Sequence, residues 1–252
     1  MSSADFSNET PDGEAVSGSW YLTKHVYAGI AEHGAVFLDA KRNKYYGLAR
    51  RHVSSLSHCV AAWPAEAGGS DPAPAHEVAK LLEQNGILTR LSRDGKSFES
   101  VQLPAIDIAQ SCLVATRRPF IGFLHCAGFL LACLQTACSL RMLPLDSIIR
   151  SLRSTRRARE ANSLRQPDER ERALDLAAIF WRLKPFVFSG EDTCLFIGLA
   201  LTRFMSYYAV RPTCVIAVET GPFRAHCWVQ HGPIAFDHRP ERLDNLIPIL
   251  SL

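Results

Sequence analysis

The sequence predicts an α+β protein built as two linked units, and three observations carry that reading. Between Trp20 and Leu48, short aromatic and β-branched runs are separated by a polar turn, the pattern of paired strands. Apolar residues at helical spacing take over from Val53 and again from Pro119. After Thr213 three short extended runs return and occupy most of the C-terminal end.

The elements follow in order. Residues 1–18 are rich in Ser, Gly, Asp and Glu with little to bury, and read as a disordered tail. Tyr21, Leu22, Val26 and Tyr27 suggest a first strand and Ala35 to Asp39 a second. The turn Ala40 to Asn43 then leads into a third, Lys44 to Leu48. Val53, Leu56, Val60 and Trp63 recur as on a helix, which the linker Ala67 to Pro72 ends. A second helix carries Val78, Leu81 and Leu82 and stops at Asn85-Gly86, a C-cap signal. Ile87 to Leu91 resumes extended structure. A boundary is placed at Leu103-Pro104, giving units of 19–103 and 104–252.

The second unit opens helically. Pro119 to Leu140 contains no charged residue and lies between Arg117, Arg118 and Arg141. It is long enough to span a bilayer, which takes roughly 20 residues. Its His125, Gln135, Thr136 and Ser139, and the basic residues at both ends, favour buried core helices, so no span is expected. Residues 150–172 hold eight arginines against four acids and read as a solvated helical face. No aromatic residue interleaves with them, so nucleic acid is not expected as a partner. Ala173 to Phe186 forms a further helix.

Composition bounds the function. The 252 residues are 47% hydrophobic and 21% charged, an ordinary globular balance that excludes disorder as the main state. The net charge of +3 is too weak to imply a polyanionic partner. The first unit with its tail has 10 basic and 12 acidic residues, the rest 18 and 13. The polar, acidic start has no apolar export segment, so a cytoplasmic location is expected and the eight cysteines are expected to stay reduced. Cys126, Cys133 and Cys138 read as packing residues. No C-x-x-C or H-x-x-x-H spacing occurs, so no metal is expected, and no Gly-rich phosphate loop appears; no cofactor is implied.

The chemistry concentrates in the last 60 residues. Asp192 or Thr193 is placed to cap an apolar helix, which sets Cys194 in its first turn. Unpaired backbone N–H groups and the positive end of the helix dipole favour a thiolate there. Ala225 to Gln230 and Pro233 to Asp237 read as a hairpin about His231-Gly232. Antiparallel pairing brings His226 near Asp237, and a carboxylate beside an imidazole fixes its tautomer and stabilises the imidazolium. Taken singly, Cys194 reads as a buried small residue, His226 as a satisfied strand histidine and Asp237 as a turn former. Together they form the Cys…His…Asp order of a papain-like constellation.

These residues resemble a known family. Cys194-Leu195 ahead of Leu199-Ala200-Leu201, then Val215 to Val218, then Ala225-His226-Cys227-Trp228-Val229 and a strand ending in Asp237, are similar to the lasso-peptide biosynthesis B proteins, which are transglutaminase-like cysteine peptidases. Gly34 to Asp39, Lys44 to Leu48 and Gly86-Ile87-Leu88 resemble the leader-binding recognition element of ribosomal peptide pathways, a winged-helix-like arrangement of three strands and then helices. Phe196-Ile197-Gly198 and Ala209-Val210-Arg211-Pro212 depart from the usual pattern, and neither touches the triad.

The resemblance implies a fold of recognition element followed by papain/transglutaminase-like peptidase, and a role in antibiotic biosynthesis. The protein would bind the leader of a precursor peptide and cut it from the core. A partner cyclase resembling asparagine synthetase would then close the macrolactam. Cys194 would be the nucleophile, His226 the general base and acid, and Asp237 the orienter. The leader would add as a strand in a groove formed by Tyr45, Tyr46, Leu48, Leu81 and Leu82; alternation sets Tyr45 and Tyr46 on opposite faces, so at most one of them lines it. Two other readings stay open: a non-hydrolytic acyl transferase or transglutaminase with the same three residues, and a peptide-binding scaffold with a vestigial triad.

Overall fold

The computed structural model describes residues 19–65, 73–160, 169–187, 194–237, 240–243 and 245–252, with backbone alone at 73–74 and 155–160. The tail, the linker at 67–72 and part of the Arg-rich stretch lie outside the described residues.

The strand run expected from Tyr21 to Tyr27 is two strands, β1 (Tyr21–Thr23) and β2 (Val26–Ala31), parted by a turn at Lys24-His25. β3 (Gly34–Asp39) and β4 (Lys44–Ala49) follow. These last three form an antiparallel meander with β3 in the centre, which leaves β4 as an open edge. Asp39 shapes the turn between them: its carboxylate accepts the backbone N–H of Lys41 and of Arg42, each at 3.0 Å. Asn43 completes the turn at φ 53, a left-handed value that a short polar side chain tolerates.

The helix expected through Trp63 is shorter. It consists of α1 (Arg50–Val53) and a 3-10 turn, Ser54–His58. Serines here bond their own backbone, as Ser57 Oγ does to the carbonyl of Ser54 at 2.7 Å, in competition with a continuing helix. Val53, Leu56, Val60 and Trp63 are nonetheless all buried, Val60 by bridging to Trp20. α2 (Ala73–Gln84) ends before Gly86, which takes φ 75. β5 (Leu88–Thr89) and the unforeseen β6 (Gly95–Lys96) flank β1 as a second small sheet.

The stretch expected as the second unit begins with α3 (Ile108–Thr116), capped by the Asp107 carboxylate, which accepts the Gln110 N–H at 3.0 Å. α4 (Phe123–Met142), α5 (Leu145–Glu160), α6 (Glu169–Leu183) and α7 (Cys194–Tyr207) follow. β7 (Thr213–Thr220), β8 (Phe223–His231), β9 (Ile234–Ala235) and β10 (Ile247–Ser251) form an antiparallel sheet in the order β10-β7-β8-β9. α7 lies on β7 and β8, and α4 and α6 pack against α7 around Phe129, Phe180 and Phe204.

α4 is long and apolar enough to cross a bilayer by length and composition. Its inner side buries Phe129, Ala132, Cys133 and Thr136, while Phe123, Leu124, Leu130, Leu131 and Leu134 are exposed. Its polar residues face α7. Arg203 donates to Thr136 Oγ1 and Ser139 Oγ, both at 2.9 Å, and Tyr207 donates to Gln135 Oε1 at 2.7 Å. Among the three cysteines expected to pack, Cys133 is buried and Cys126 half-buried. Cys138 is exposed: the helix turns it outward, beside Leu134 on the outer side. All eight cysteines are free thiols.

The described arginines of the 150–172 stretch do more than face solvent. Arg150 pairs with Asp146 at 3.1 Å, Arg153 donates to the Tyr27 hydroxyl at 3.4 Å, Arg170 reaches Gln110 at 2.6 Å and Arg172 donates to the Tyr208 carbonyl. Arg153, Arg170 and Arg172 each link α5 or α6 to another part of the chain, while the Arg150 pair lies within α5.

The two units share a core. Alternation along β3 sends Ala35 and Phe37 toward α1 and α2, into a cluster with Trp20, Leu56, Trp63 and Leu82. Val36 and Leu38 face the other way and join Ile148, Ile149, Leu199, Ile216 and Ile249 of the second unit. The two parts meet tightly at Gly29 of β2, where a Cβ would stand 2.5 Å from Ile249 Cγ2 and 3.0 Å from Ile247 Cγ2. Only glycine lets β2 sit this near to β10. Leu103 and Ile106, at the expected boundary, pack against the cluster around Val215, Ala217 and Trp228.

Candidate active site

Cys194 is the first residue of α7, where backbone N–H groups have no intrahelical acceptor. The capping assigned to Asp192 or Thr193 falls outside the described residues. Gly198 lies one turn further along the same face. A Cβ there would come within 2.6 Å of Cys227 Sγ, so the glycine lets α7 press directly onto β8. That contact brings the Cys227 backbone N–H to the Cys194 sulfur, and the N–H of Leu195 bonds it from the helix.

His226 is the fourth residue of β8 and pairs across the sheet with Ala217. Asp237 lies just past the two-residue β9, whose ladder matches Gln230 with Ala235. The Phe236 N–H continues that ladder to the Val229 carbonyl at 2.7 Å, which draws Asp237 back alongside β8. His226 Nε2 is 2.8 Å from Asp237 Oδ2. The second ring nitrogen, Nδ1, is thereby left for Cys194, whose side chain is hydrogen-bonded to the imidazole. Gly232 at φ 58 closes the hairpin that makes this possible.

A buried network holds the imidazole from behind. The Trp228 ring lies nearly parallel to it, centroids 6.4 Å apart and 21° between planes. Trp228 Nε1 donates to Gln230 Oε1 at 2.9 Å, and Gln230 Nε2 donates to the Gly232 carbonyl at 3.1 Å. Both polar groups of the buried Gln230 are thus satisfied.

The electrostatics favour an ion pair. The hydrogen bond to His226 lowers the Cys194 thiol below its usual value, outweighing burial, and the two backbone N–H groups add to it. Asp237 first, then Cys194, raise the His226 imidazole to about 9 against the opposing effect of burial. Thiolate and imidazolium therefore stabilise one another. The Cys227 thiol goes the other way: its hydrogen bond with Cys214, Sγ to Sγ 3.5 Å, and its burial push it up, so it stays a neutral packing residue.

The residues expected to form a leader groove do not share one surface. Tyr46 and Leu48 are half-buried against the α1–α2 core, Leu82 is buried within it, and Leu81 is 59% exposed. Tyr45, on the opposite face of β4, packs instead into the cluster that holds Cys194 and Leu195. Phe196 and Ile197, where the helix departs from the family pattern, are packing residues against the α4–α6 core. Sequence reasoning anticipated an N–H donor from the helix start but missed Gly198 and the Cys227 N–H. The visible signal was an isolated glycine inside an apolar helix, which usually marks a close contact.

Residues 130–251 match the model of the transglutaminase-like superfamily. A transglutaminase-like domain thus occupies that stretch, with Cys194, His226 and Asp237 inside it, and such domains are cysteine-peptidase-like or acyltransferase-like. Comparison with curated proteins finds no match, and comparison with solved structures finds none.

Proposed function

We propose that this protein is the leader peptidase of lasso-peptide maturation. The observation that carries the reading is the hydrogen-bonded chain Cys194–His226–Asp237, set on a helix start and a strand hairpin within a transglutaminase-like domain. The open edge of β4 supports it further. An extended leader can add there as a fourth strand, with main-chain hydrogen bonds supplying affinity. Tyr45 lies on that same strand, in the apolar cluster that holds Cys194, so a peptide bound along β4 is led toward the nucleophile.

The steps follow from the groups present. The Cys194 thiolate attacks the carbonyl carbon on the leader side of the scissile bond. The backbone N–H of Cys194 is the candidate donor to the resulting oxyanion. As the C–N bond breaks, the His226 imidazolium gives its proton to the departing core amine, leaving a thioester on Cys194. Neutral His226 then takes a proton from water, and the hydroxide equivalent releases the leader as a carboxylate and regenerates the thiolate. Asp237 holds the ring through both transfers. Binding through the leader raises the local concentration of the scissile bond to the millimolar range expected of a short tether.

The freed amine is the group that a partner cyclase resembling asparagine synthetase would join to a side-chain carboxyl. A cytoplasmic site of action agrees with eight free thiols. The test is incubation of the full chain with a lasso-type precursor peptide, with products weighed by mass spectrometry. Separate leader acid and core amine, lost in Cys194→Ala, are expected. A product lacking one water, in which an amine has resolved the thioester, would instead establish an acyl transferase. Cleavage that survives Cys194→Ala would end the assignment.

A further inference from the structure

Tyr45 belongs to the N-terminal sheet, but its side chain sits among residues of the catalytic unit. It pairs with Leu38 across β3, and its ring lies 5.4 Å from that of Phe223 at 60°. Phe223 opens β8, three residues before His226, and is 54% exposed. Tyr45, Cys194, Leu195 and Ala225 pack against one apolar cluster that includes Cys227, and Phe223 joins it through Tyr45, two residues before Ala225 on the same face of β8. The mechanism above uses neither ring. Two residues along β4, on the same face as Tyr45, Gly47 is exposed, and a Cβ built there meets nothing within 4 Å. The surface leading from the β4 edge to Cys194 is therefore open at Gly47 and walled by aromatics beyond it.

We propose that Tyr45 and Phe223 form an aromatic subsite beside Cys194, built jointly by the two sheets, which takes an apolar side chain of the peptide on the acyl side of the scissile bond, while Gly47 keeps the approach along β4 clear. The subsite rests on Cys194 as the reactive thiolate and deepens the peptidase reading. Burial, with the Cys227 and Cys194 thiols adding, pushes the Tyr45 phenol up to about 12, so it stays neutral and offers a surface rather than a base. An apolar wall of this kind favours a hydrophobic side chain and disfavours a charged one, which would lose its water there.

The test uses the full chain and acetyl-amino-acid chloromethyl ketones with Phe, Leu or Asp as the side chain, each rate divided by the iodoacetamide rate, with labelling at Cys194 read by intact mass. Wild type is expected to favour the Phe and Leu reagents over Asp by about tenfold or more, the scale on which hydrophobic pockets discriminate. Tyr45→Ala and Phe223→Ala should each collapse that preference, and Tyr45→Phe should retain it. Gly47→Leu, which has room to fold, should slow all three ketones relative to iodoacetamide. Equal rates for Phe and Asp in wild type, or an undiminished preference in both alanine variants, would overturn the subsite. Because this readout needs no turnover, a retained preference with an uncut precursor peptide would instead remove the peptidase reading and leave the subsite standing.

Discussion

Gly198 and Cys227 stand in van der Waals contact at the place where α7 crosses β8, and a methyl group on Gly198 would lie 2.6 Å from the Cys227 sulfur. The sulfur has little room to retreat, since it is buried and 3.5 Å from Cys214 Sγ. The spacing of helix and strand at Cys194 thus depends on one missing Cβ.

Gly198→Ala should therefore cost stability and alter the thiol together. Overpacking of this kind costs about 1–3 kcal/mol, more than the helix propensity gained. Lifting α7 from β8 also draws Cys194 away from the Cys227 N–H, so its thiol should titrate higher. Denaturant unfolding and the pH dependence of iodoacetamide labelling read the two effects. Adding Cys227→Ala, which removes the colliding sulfur, should recover most of both. A Gly198→Ala protein with unchanged stability and labelling would contradict the contact.

The pH dependence of activity follows from the His226–Asp237 pair. On the proposed mechanism, activity needs the Cys194 thiolate and the His226 imidazolium at once. The thiol is lowered from 9.0, so the acid limb lies below that value. The imidazole is raised to about 9, so activity is expected to fall as pH rises through about 9 and the ring loses its proton. The hydrogen bond from Asp237 is the largest cause of that rise. In Asp237→Asn the alkaline limb should move down toward the ordinary 6.5, and the plateau should narrow from its high-pH side. A kcat/KM profile with precursor peptide measures both limbs. An alkaline limb that stays put in Asp237→Asn would show that another group holds the imidazolium.

Local pattern explains how much of this was legible in the sequence. His226 and Asp237 sit either side of a tight turn, and the two-residue period of strands sets their approach. Cys194 opens an apolar helical run, so its place in the first turn was readable too. Val53, Leu56, Val60 and Trp63 read as one helix because they are buried at helical spacing, yet no continuous helix runs beneath them. The sequence predicts for Tyr45 a groove on its own sheet. No local signal in Lys44–Ala49 reports which other sheet will lie against it, and that depends on Gly29 meeting Ile247 and Ile249 more than 200 residues later.

Gly29 gives the sharpest test of that joint construction. Its Cβ position is 2.5 Å from Ile249 Cγ2, and Ile249 is buried, so Gly29→Val must push β2 away from β10. The strain is expected to cost about 1–3 kcal/mol. Because β4 is tied to β2 through β3, displacement of the sheet should carry Tyr45 away from Cys194 while the α7–β8 contacts that hold the triad persist. The expected outcome is a lower denaturation midpoint and a weakened Phe-over-Asp preference in ketone labelling, with iodoacetamide labelling of Cys194 still showing a lowered thiol. Ile249→Ala makes room for the new side chain, and the double variant should recover selectivity more fully than stability, since the alanine leaves its own cavity. Selectivity that stays intact in Gly29→Val, with the sheet demonstrably destabilised, would mean that the N-terminal sheet contributes nothing to the catalytic cleft.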